Sequence, residues 1–332
     1  MGKWRLIGAG LAAVVIVAAG LILRPSADDD LDPYRTPPSF VFSEKFTEGG
    51  KNLEPSRLQV LGDTLFVAFN GIARLDAYNF DLELLRSIAL VAPEPVLPTS
   101  FTITDTSIVI CDHGKGIVAV FDRAGKYQTS FGTLPDNSTS LAPIALSAFK
   151  GVAYVADMEQ GRVLAISLNN IENVTEQGEL VLTIPPQNKE RLGLPSAVLV
   201  TPDGRLLVGD ALAGAVKVFT CDGRPIYDFE LSPGFSSMTP QALTHDTLKD
   251  PSLAIENGWD PSGLPRQGRY HVVDGFNGVI HMYNPVGQYL GSYPEGAPLA
   301  GPAGIAADRK GGRIFVSDPL RGQILVYRFK GE

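Results

Sequence analysis

A short phrase repeats along this chain and constrains its fold more than any other feature. Its last copy is "RIFVSDPLRGQILVYRF", residues 313–329, in which a four-residue turn separates two strand-like runs. β-Branched and aromatic residues on either side of a Pro/Gly turn are typical of a β-hairpin. The phrase occurs five more times. The repeat therefore predicts a structure of six similar units.

The spacing of the copies indicates what each unit contains. The first hairpin strand ends at Phe69 or Asn70 in the first copy and at an aspartate in the other copies, which are Asp112, Asp157, Asp210, Asp274 and Asp318. Counted from residue 69, successive positions are 43, 45, 53, 64 and 44 residues apart. A period in the forties with four short strands per unit predicts an all-β fold, a six-bladed β-propeller.

The two ends of the repeat region predict how the ring closes. The sixth unit stops at residues 330–332 after three strands, and "SFVFSEKFT", residues 39–47, is a strand-like run without a partner of its own. We expect this N-terminal strand to complete the last blade, because an unpaired sheet edge invites aggregation. The propeller is predicted to span residues 39–332.

An apolar segment precedes the propeller. Residues 6–23 contain no charge over 18 positions, and at about 1.5 Å per residue they would cover about 27 Å, close to the thickness of a bilayer core. Lys3 and Arg5 precede the segment and acidic residues follow it. The positive-inside rule then predicts a single-pass anchor with a cytoplasmic N-terminus and a periplasmic or extracellular propeller. A cleaved signal peptide is the alternative.

These observations divide the chain into three parts. We predict a transmembrane signal anchor at residues 1–24, a Pro/Asp-rich linker at residues 25–38 and the propeller from residue 39. The net charge of −8, without a Lys/Arg cluster beyond the first residues, disfavours nucleic-acid binding. Cys111 and Cys221 fall at different strand positions of different blades and are expected to be free thiols. The sequence contains no CxxCH, so covalent haem is excluded.

The repeat resembles a known family. The runs "PAGIAAD", "GRIFVSD" and "GQILVY" are similar to the NHL repeat, and the resemblance covers about residues 38–330. It implies a six-bladed propeller and, together with the N-terminal segment, a membrane-anchored bacterial protein. It says little about activity, because such propellers include scaffolds, binding modules and a few enzymes. The first blade departs from the pattern, since Phe69 and Asn70 replace the aspartate.

The recurring aspartates have two interpretations. They could form a ring of carboxylates around the tunnel mouth that holds a cation such as Ca²⁺. Alternatively, each could accept hydrogen bonds from backbone N–H groups of its own turn. Recurrence in five units favours the turn role. We therefore predict no metal site and no cofactor, and Ca²⁺ is the ion to test.

An enzymatic function stays open as the alternative. Propellers that resemble the peptidylglycine-amidating lyases would need histidines that converge on the axis, and the histidines here are His113, His245, His271 and His281. They do not obviously meet in the repeat alignment. Gluconolactonase-like propellers need acidic and amide groups in the tunnel, where the predicted inner strands are mostly apolar or small. We predict no catalytic residue, and a metal-dependent hydrolase or lyase at the tunnel mouth remains the second hypothesis.

Two insertions interrupt the repeat. One covers residues 169–178 and includes Asn173 in an N-x-T glycosylation pattern, and the other covers residues 245–269. Both should lie on one face of the disc, where the linker also enters. Long loops on a rigid scaffold often carry binding residues. We predict a protein-binding or scaffold module whose partner lies at or near the membrane, with Trp259, Arg266, Arg269 and Asn173 as candidate contacts. A self-packed loop is the alternative.

Overall fold

The computed structural model describes residues 36–132, 140–168, 179–185, 191–230, 232–234, 238–246, 268–294, 298–308 and 312–329. These residues form six four-stranded antiparallel sheets and one small hairpin. The all-β six-bladed propeller predicted from the repeat is confirmed. The only helical piece in the described part of the chain is a 3-10 turn at Pro319–Arg321.

The strands follow one another around the ring in chain order. The chain begins with β1 (Ser39–Lys45) and a hairpin of β2 (Thr47–Glu48) and β3 (Lys51–Asn52). Blade one contains β4 (Pro55–Leu61), β5 (Thr64–Phe69), β6 (Arg74–Tyr78) and β7 (Leu84–Ala89). Blade two contains β8 (Ser100–Ile103), β9 (Ser107–Asp112), β10 (Ile117–Asp122) and β11 (Tyr127–Phe131). Blade three contains β12 (Pro143–Phe149), β13 (Val152–Asp157), β14 (Arg162–Ser167) and β15 (Glu179–Ile184).

The second half of the ring repeats this order. Blade four contains β16 (Pro195–Val200), β17 (Arg205–Asp210), β18 (Ala215–Thr220) and β19 (Pro225–Asp228). Blade five contains β20 (Pro240–Asp246), β21 (Arg269–Asp274), β22 (Val279–Tyr283) and β23 (Tyr289–Tyr293). Blade six contains β24 (Gly304–Asp308), β25 (Arg313–Asp318) and β26 (Gln323–Arg328), and β1 is its fourth strand.

The first strand of each blade lies at the axis, since β4, β8, β12, β16, β20 and β24 contact one another in a ring. The second strands are sandwiched between neighbouring blades and are almost wholly buried, which explains apolar runs such as "SIVIC" in β9. Apolar clusters fill the spaces between blades. One of them joins Phe66 of blade one to Phe101 and Phe121 of blade two. Burial of such large side chains is the main source of stability.

The predicted ring closure is confirmed. Strand β1 pairs antiparallel with β26, with Ser39 opposite Arg328 and Lys45 opposite Gln323. The edge of β26 is thereby covered.

No helix in the described residues is long and apolar enough to cross a membrane. The predicted anchor and most of the predicted linker, residues 1–35, lie outside the described residues.

Candidate functional site at the channel mouths

The propeller has two distinct faces. The inner strands all begin on the face that also carries the turns between the second and third strands, as the pairs Pro195–Asp210 and Pro240–Asp274 show. We call this the turn face. The inner strands end on the opposite face, where Asp246 pairs with Arg269 at the base of the long insertion. We call this the insertion face, and Ser39 also enters there, opposite Arg328.

The recurring aspartates all lie on the turn face and accept hydrogen bonds from nearby N–H groups. Asp210 accepts three from backbone: Gly193 N donates to Oδ2 at 2.8 Å, and Leu194 N and Ala213 N donate to Oδ1 at 2.9 and 3.1 Å. Backbone N–H groups also donate to the other four, and they belong to Leu97 and Lys115 for Asp112, Ala142 for Asp157, Thr239, Phe276 and Asn277 for Asp274, and Ala300 and Arg321 for Asp318. The second donor to Asp157 is the side-chain Nε of Arg162. Each carboxylate thus holds the segment that leads into the inner strand, and four of the five, all but Asp157, join it to their own turn.

Within the described ranges, no group of three or more His, Cys, Asp or Glu side chains is arranged to hold a metal ion. Blade one, which lacks the aspartate, links the same two segments differently. Asn70 N donates to Glu54 O at 2.9 Å, and the Asn70 carboxamide donates to the Glu54 carboxylate at 3.2 Å.

The blade-five histidines are buried within their own sheet. His281 lies between Ser292 Oγ, 2.8 Å from Nδ1, and Asp274 Oδ2, 3.2 Å from Nε2. His271 Nδ1 lies 3.1 Å from the Tyr293 hydroxyl. Burial would raise the pKa of Asp274, but hydrogen bonds from His281 and from a neighbouring amide hold that pKa below its ordinary value.

Arg269 is not a surface residue, and the predicted role in partner contact is wrong for it. Its side chain is 1% exposed, and Nε and Nη2 lie 2.9 and 2.6 Å from Asp246 Oδ2. The guanidinium carbon lies 3.4 Å from the centre of the Phe329 ring. His245 and Arg269, which we assigned to the insertion, belong to β20 and β21, the strands that flank it. Trp259, Arg266 and Asn173 lie outside the described residues.

Polar side chains in the channel bond mainly to the neighbouring inner strand. The Gln59 carboxamide accepts from Ile103 N at 2.7 Å and donates to Ile103 O at 3.2 Å. Ser147 Oγ accepts from Val200 N at 3.0 Å. These bonds join blades one and two and blades three and four at the axis. They supplement the apolar contacts between blades.

Two cavities along the channel are lined by described residues. The larger, about 240 Å³, lies toward the insertion face and is lined by residues that include Gln59, Thr102, Ser147 and Thr244. The smaller, about 70 Å³, lies toward the turn face and is lined by residues that include Arg57, Ser100, Gln241 and Gly304. The smaller cavity therefore contains a guanidinium group. Arg57 was not among the predicted site residues, because a single charged residue in an inner strand carries no signal until the blades converge.

The turn face also exposes large apolar side chains. Leu212, Phe276 and Leu320 are 76%, 80% and 77% exposed and occupy the same turn position in blades four, five and six, two residues after the aspartate. We call these three residues the apolar crescent. Blades one to three carry Gly71, Gly114 and Glu159 at that position, counted from Phe69 in blade one. The sequence contained this signal, and an alignment of the turns rather than of the strands would have found it.

Comparison with known proteins supports the fold. No family model matches the chain, and neither does any curated protein. A streptogramin B lyase structure is 12% identical with a TM-score of 0.58 and covers 88% of each chain. A catalytically inactive histidine-to-alanine variant of the virginiamycin B lyase from Staphylococcus aureus, solved with quinupristin, is 14% identical with a TM-score of 0.57, covering 88% of this chain and 89% of that one. The selenomethionine form of the same lyase is 15% identical with a TM-score of 0.54 and covers 83% and 82%.

At these identities the likeness concerns the six-bladed fold alone. The NHL resemblance is not supported by a family match and stays a prediction.

Proposed function

We propose that this chain is a membrane-anchored, extracytoplasmic propeller that binds a protein partner, and that the partner docks on the turn face. The observation that carries the proposal is the apolar crescent of Leu212, Phe276 and Leu320. The three side chains lie on one face of three consecutive blades, and exposed apolar surface on a folded protein often marks an interaction site.

The crescent is not a requirement of the fold. If the repeat itself needed an apolar residue at this turn position, all six blades would carry one, but three of them carry glycine or glutamate. Leu97 and Leu194 add further apolar surface on the same face, at 40% and 37% exposure. Of the eleven exposed large apolar side chains in the described part of the chain, five therefore lie on the turn face.

The crescent is also held in place before any partner arrives. A Cβ atom at Gly301 would lie 2.7 Å from Leu320 Cδ1, and one at Gly193 would lie 2.9 Å from Leu212 Cβ. Both leucines thus pack directly over a glycine of the entering segment. The aspartates fix the turns below them. A surface that is already ordered loses less entropy when it binds, which favours recognition.

The direction of the crescent follows from the topology. The chain enters the propeller at Ser39 on the insertion face, and the crescent lies on the opposite face. If residues 1–24 anchor the protein as the sequence predicts, the turn face is presented away from the point of attachment. The insertion predicted at residues 245–269 begins and ends on the insertion face, where the anchor would attach.

The test is recovery of crosslinked partners from native membranes with matched variants. The triple variant Leu212→Ser, Phe276→Ser, Leu320→Ser should lose the specific partner band. A control with Leu84→Ser, Leu85→Ser and Val91→Ser changes side chains of similar exposure, 57%, 57% and 65%, in and beside the outer strand of blade one, and should keep it. Equal recovery by both variants would exclude docking on the crescent. Deletion of residues 250–267, which keeps Gly268, tests the insertion in the same assay.

The second candidate function is a metal-dependent hydrolase or lyase. Its support is the shared fold with streptogramin B and virginiamycin B lyases. Metal analysis of the purified chain distinguishes the two functions. The enzyme would be favoured if the purified chain contained a stoichiometric divalent cation and if substitution of channel residues removed that cation.

A further inference from the structure

The small cavity at the centre of the turn face contains a cation that no carboxylate neutralises. Arg57 lies on β4 of blade one, and its side chain bonds to both neighbouring blades at the turn-face end of the channel. Nε donates to Thr99 O of blade two at 3.2 Å, and Nη1 donates to Ala303 O beside blade six. Both acceptors are neutral carbonyls. No carboxylate in the described ranges forms an ion pair with Arg57.

The charge persists at neutral pH. Burial lowers the pKa of Arg57 to about 10, and the nearby Cys111 partly offsets this effect. A guanidinium has five N–H donors in a planar fork, and only two are used by the carbonyls. The remaining N–H groups are available to a ligand. Arginine is well suited to carboxylates, because two parallel hydrogen bonds can form.

A second polar group lies in the same cavity. Gln241 of β20 lines it together with Arg57, and its carboxamide has no hydrogen-bond partner in the described part of the chain. The side chain packs over Gly275, where a Cβ atom would lie 2.4 Å from the Gln241 Cδ atom. Gly275 immediately precedes Phe276 of the crescent. The carboxamide therefore lies next to the apolar turn of blade five.

The inner strand of blade six lies between these two residues and packs closely against β4. Blade six contributes Gly304 to the cavity. A Cβ atom at that position would lie 2.5 Å from Ser56 O and 3.1 Å from Arg57 Cα. A side chain at 304 would therefore push against the strand that carries Arg57. Glycine therefore allows β24 to lie directly against β4, beside a cavity of about 70 Å³.

We propose that this cavity binds the C-terminal carboxylate of the partner protein that docks on the crescent. Arg57 and Gln241 hold the carboxylate at the axis, and the apolar side chains next to the terminus cover Leu212, Phe276 and Leu320. A chain terminus can enter a narrow cavity as a single strand of backbone, whereas a loop needs room for two. A terminus therefore fits this cavity better than a loop. This inference rests on the proposed function, because it names the part of the partner that binds.

Small peptides test the carboxylate directly. The full-length chain, purified in detergent, is titrated with N-acetyl-Leu-Phe carrying a free carboxylate and with the same peptide carrying a terminal amide. Loss of a hydrogen bond to a charged group costs about 1.5–3 kcal/mol, which corresponds to about tenfold to a hundredfold in affinity. The acid should therefore bind at least about tenfold more tightly than the amide. Equal affinity would overturn the proposal.

Variants of the two polar residues show where the preference arises. Arg57→Gln should reduce the preference for the acid over the amide to within about twofold. Arg57→Lys and Gln241→Leu should leave a smaller but measurable preference, because Arg57→Lys keeps the positive charge and Gln241→Leu keeps the arginine. If Arg57→Gln does not fold, the latter two variants carry the test. Unchanged preference in all three would exclude this cavity. Binding of amide-capped N-acetyl-Leu-Glu as tightly as the acid would show that a side-chain carboxylate suffices, and the terminus would be excluded.

The experiments distinguish failure of the carboxylate site from failure of docking on the turn face. If the crescent variant loses the partner and Arg57→Gln retains it, docking on the turn face stands and the carboxylate site does not. If the crescent variant retains the partner, the proposed function fails, whatever the peptides do.

Discussion

Arg269 Nη2 lies 2.6 Å from Asp246 Oδ2, and this buried ion pair closes the base of the long insertion in blade five. Arg269 N also donates to Asp246 Oδ1 at 2.8 Å. Gly268 immediately precedes Arg269 and has a φ of +83°. Its backbone lies so close to Asp246 that a Cβ atom on Gly268 would be 1.7 Å from Asp246 O. The insertion therefore leaves and re-enters the sheet through a fixed junction. Its length can vary without a change in the blade.

The Asp246–Arg269 pair should make the free energy of unfolding fall as the pH is lowered into the acid range. Burial would raise the pKa of Asp246, but His271 and Arg269 hold it well below its ordinary value. A carboxylate with a lowered folded pKa stabilises the fold above its unfolded pKa of about 3.9, and this stability is lost as the pH falls toward the folded value. Asp246→Asn should cost about 3–5 kcal/mol of unfolding free energy at pH 7, because Arg269 stays buried without its counter-charge.

Urea unfolding at pH 7 and pH 3 measures this effect. The difference between wild type and Asp246→Asn should shrink at pH 3. Glu94→Gln is the control, since Glu94 is highly exposed and pairs with Lys115 Nζ at 2.9 Å in solvent, and exposed pairs contribute little. A difference that is equal at both pH values would contradict the ionised state of Asp246.

Restoring the repeat pattern in blade one should destabilise the protein. Phe69 is fully buried and packs against Phe46 of the segment after β1, with ring centroids 5.8 Å apart. Phe69→Asp would create a cavity and bury a carboxylate. We expect a loss of at least about 4 kcal/mol, by analogy with large-to-small core changes and the cost of an unpaired buried charge.

Chemical denaturation compares Phe69→Asp with Phe69→Leu, which preserves the apolar contact and should cost less than about 2 kcal/mol. Similar stability of Phe69→Asp and wild type would mean that blade one can adopt the aspartate turn of the other blades. The Glu54–Asn70 hydrogen bonds would then be dispensable.

The elements of the fold were predictable because their signals are local. Alternation, turn glycines and the unpaired strand at residues 39–47 together specify the hairpins and the ring closure. Arg269 was misassigned, because its burial depends on Phe329 at the far end of the domain. Arg57 and Gln241 are 184 positions apart in the sequence, and only the closed ring brings them into one cavity. Residues that converge on an axis from different repeats leave no periodic signal.

Removal of the closing strand should expose the edge of β26. A variant that begins at Phe46 lacks β1 and its pairing with residues 323–328. A variant that begins at Thr36 retains both. We expect the shorter variant to aggregate and to have a lower thermal midpoint, because an unpaired edge strand can pair with other molecules. Size-exclusion chromatography and thermal unfolding of the two variants provide the measurement, and indistinguishable behaviour would show that β1 contributes nothing to closure.

The turn aspartates should stabilise the fold without a metal ion. Asp210 accepts three backbone hydrogen bonds at 2.8–3.1 Å, and Asp210→Ala would leave these N–H groups without their acceptor. Because hydrogen bonds to charged groups contribute about 1.5–3 kcal/mol each and are not additive, we expect a loss of about 3–5 kcal/mol. Asp105→Ala, at an exposed turn position, should change stability by less than about 0.5 kcal/mol. Thermal unfolding in EDTA and in millimolar Ca²⁺ then distinguishes the two roles: a turn role predicts the same loss in both solutions, whereas a carboxylate ring that binds Ca²⁺ predicts that Ca²⁺ stabilises only the wild type.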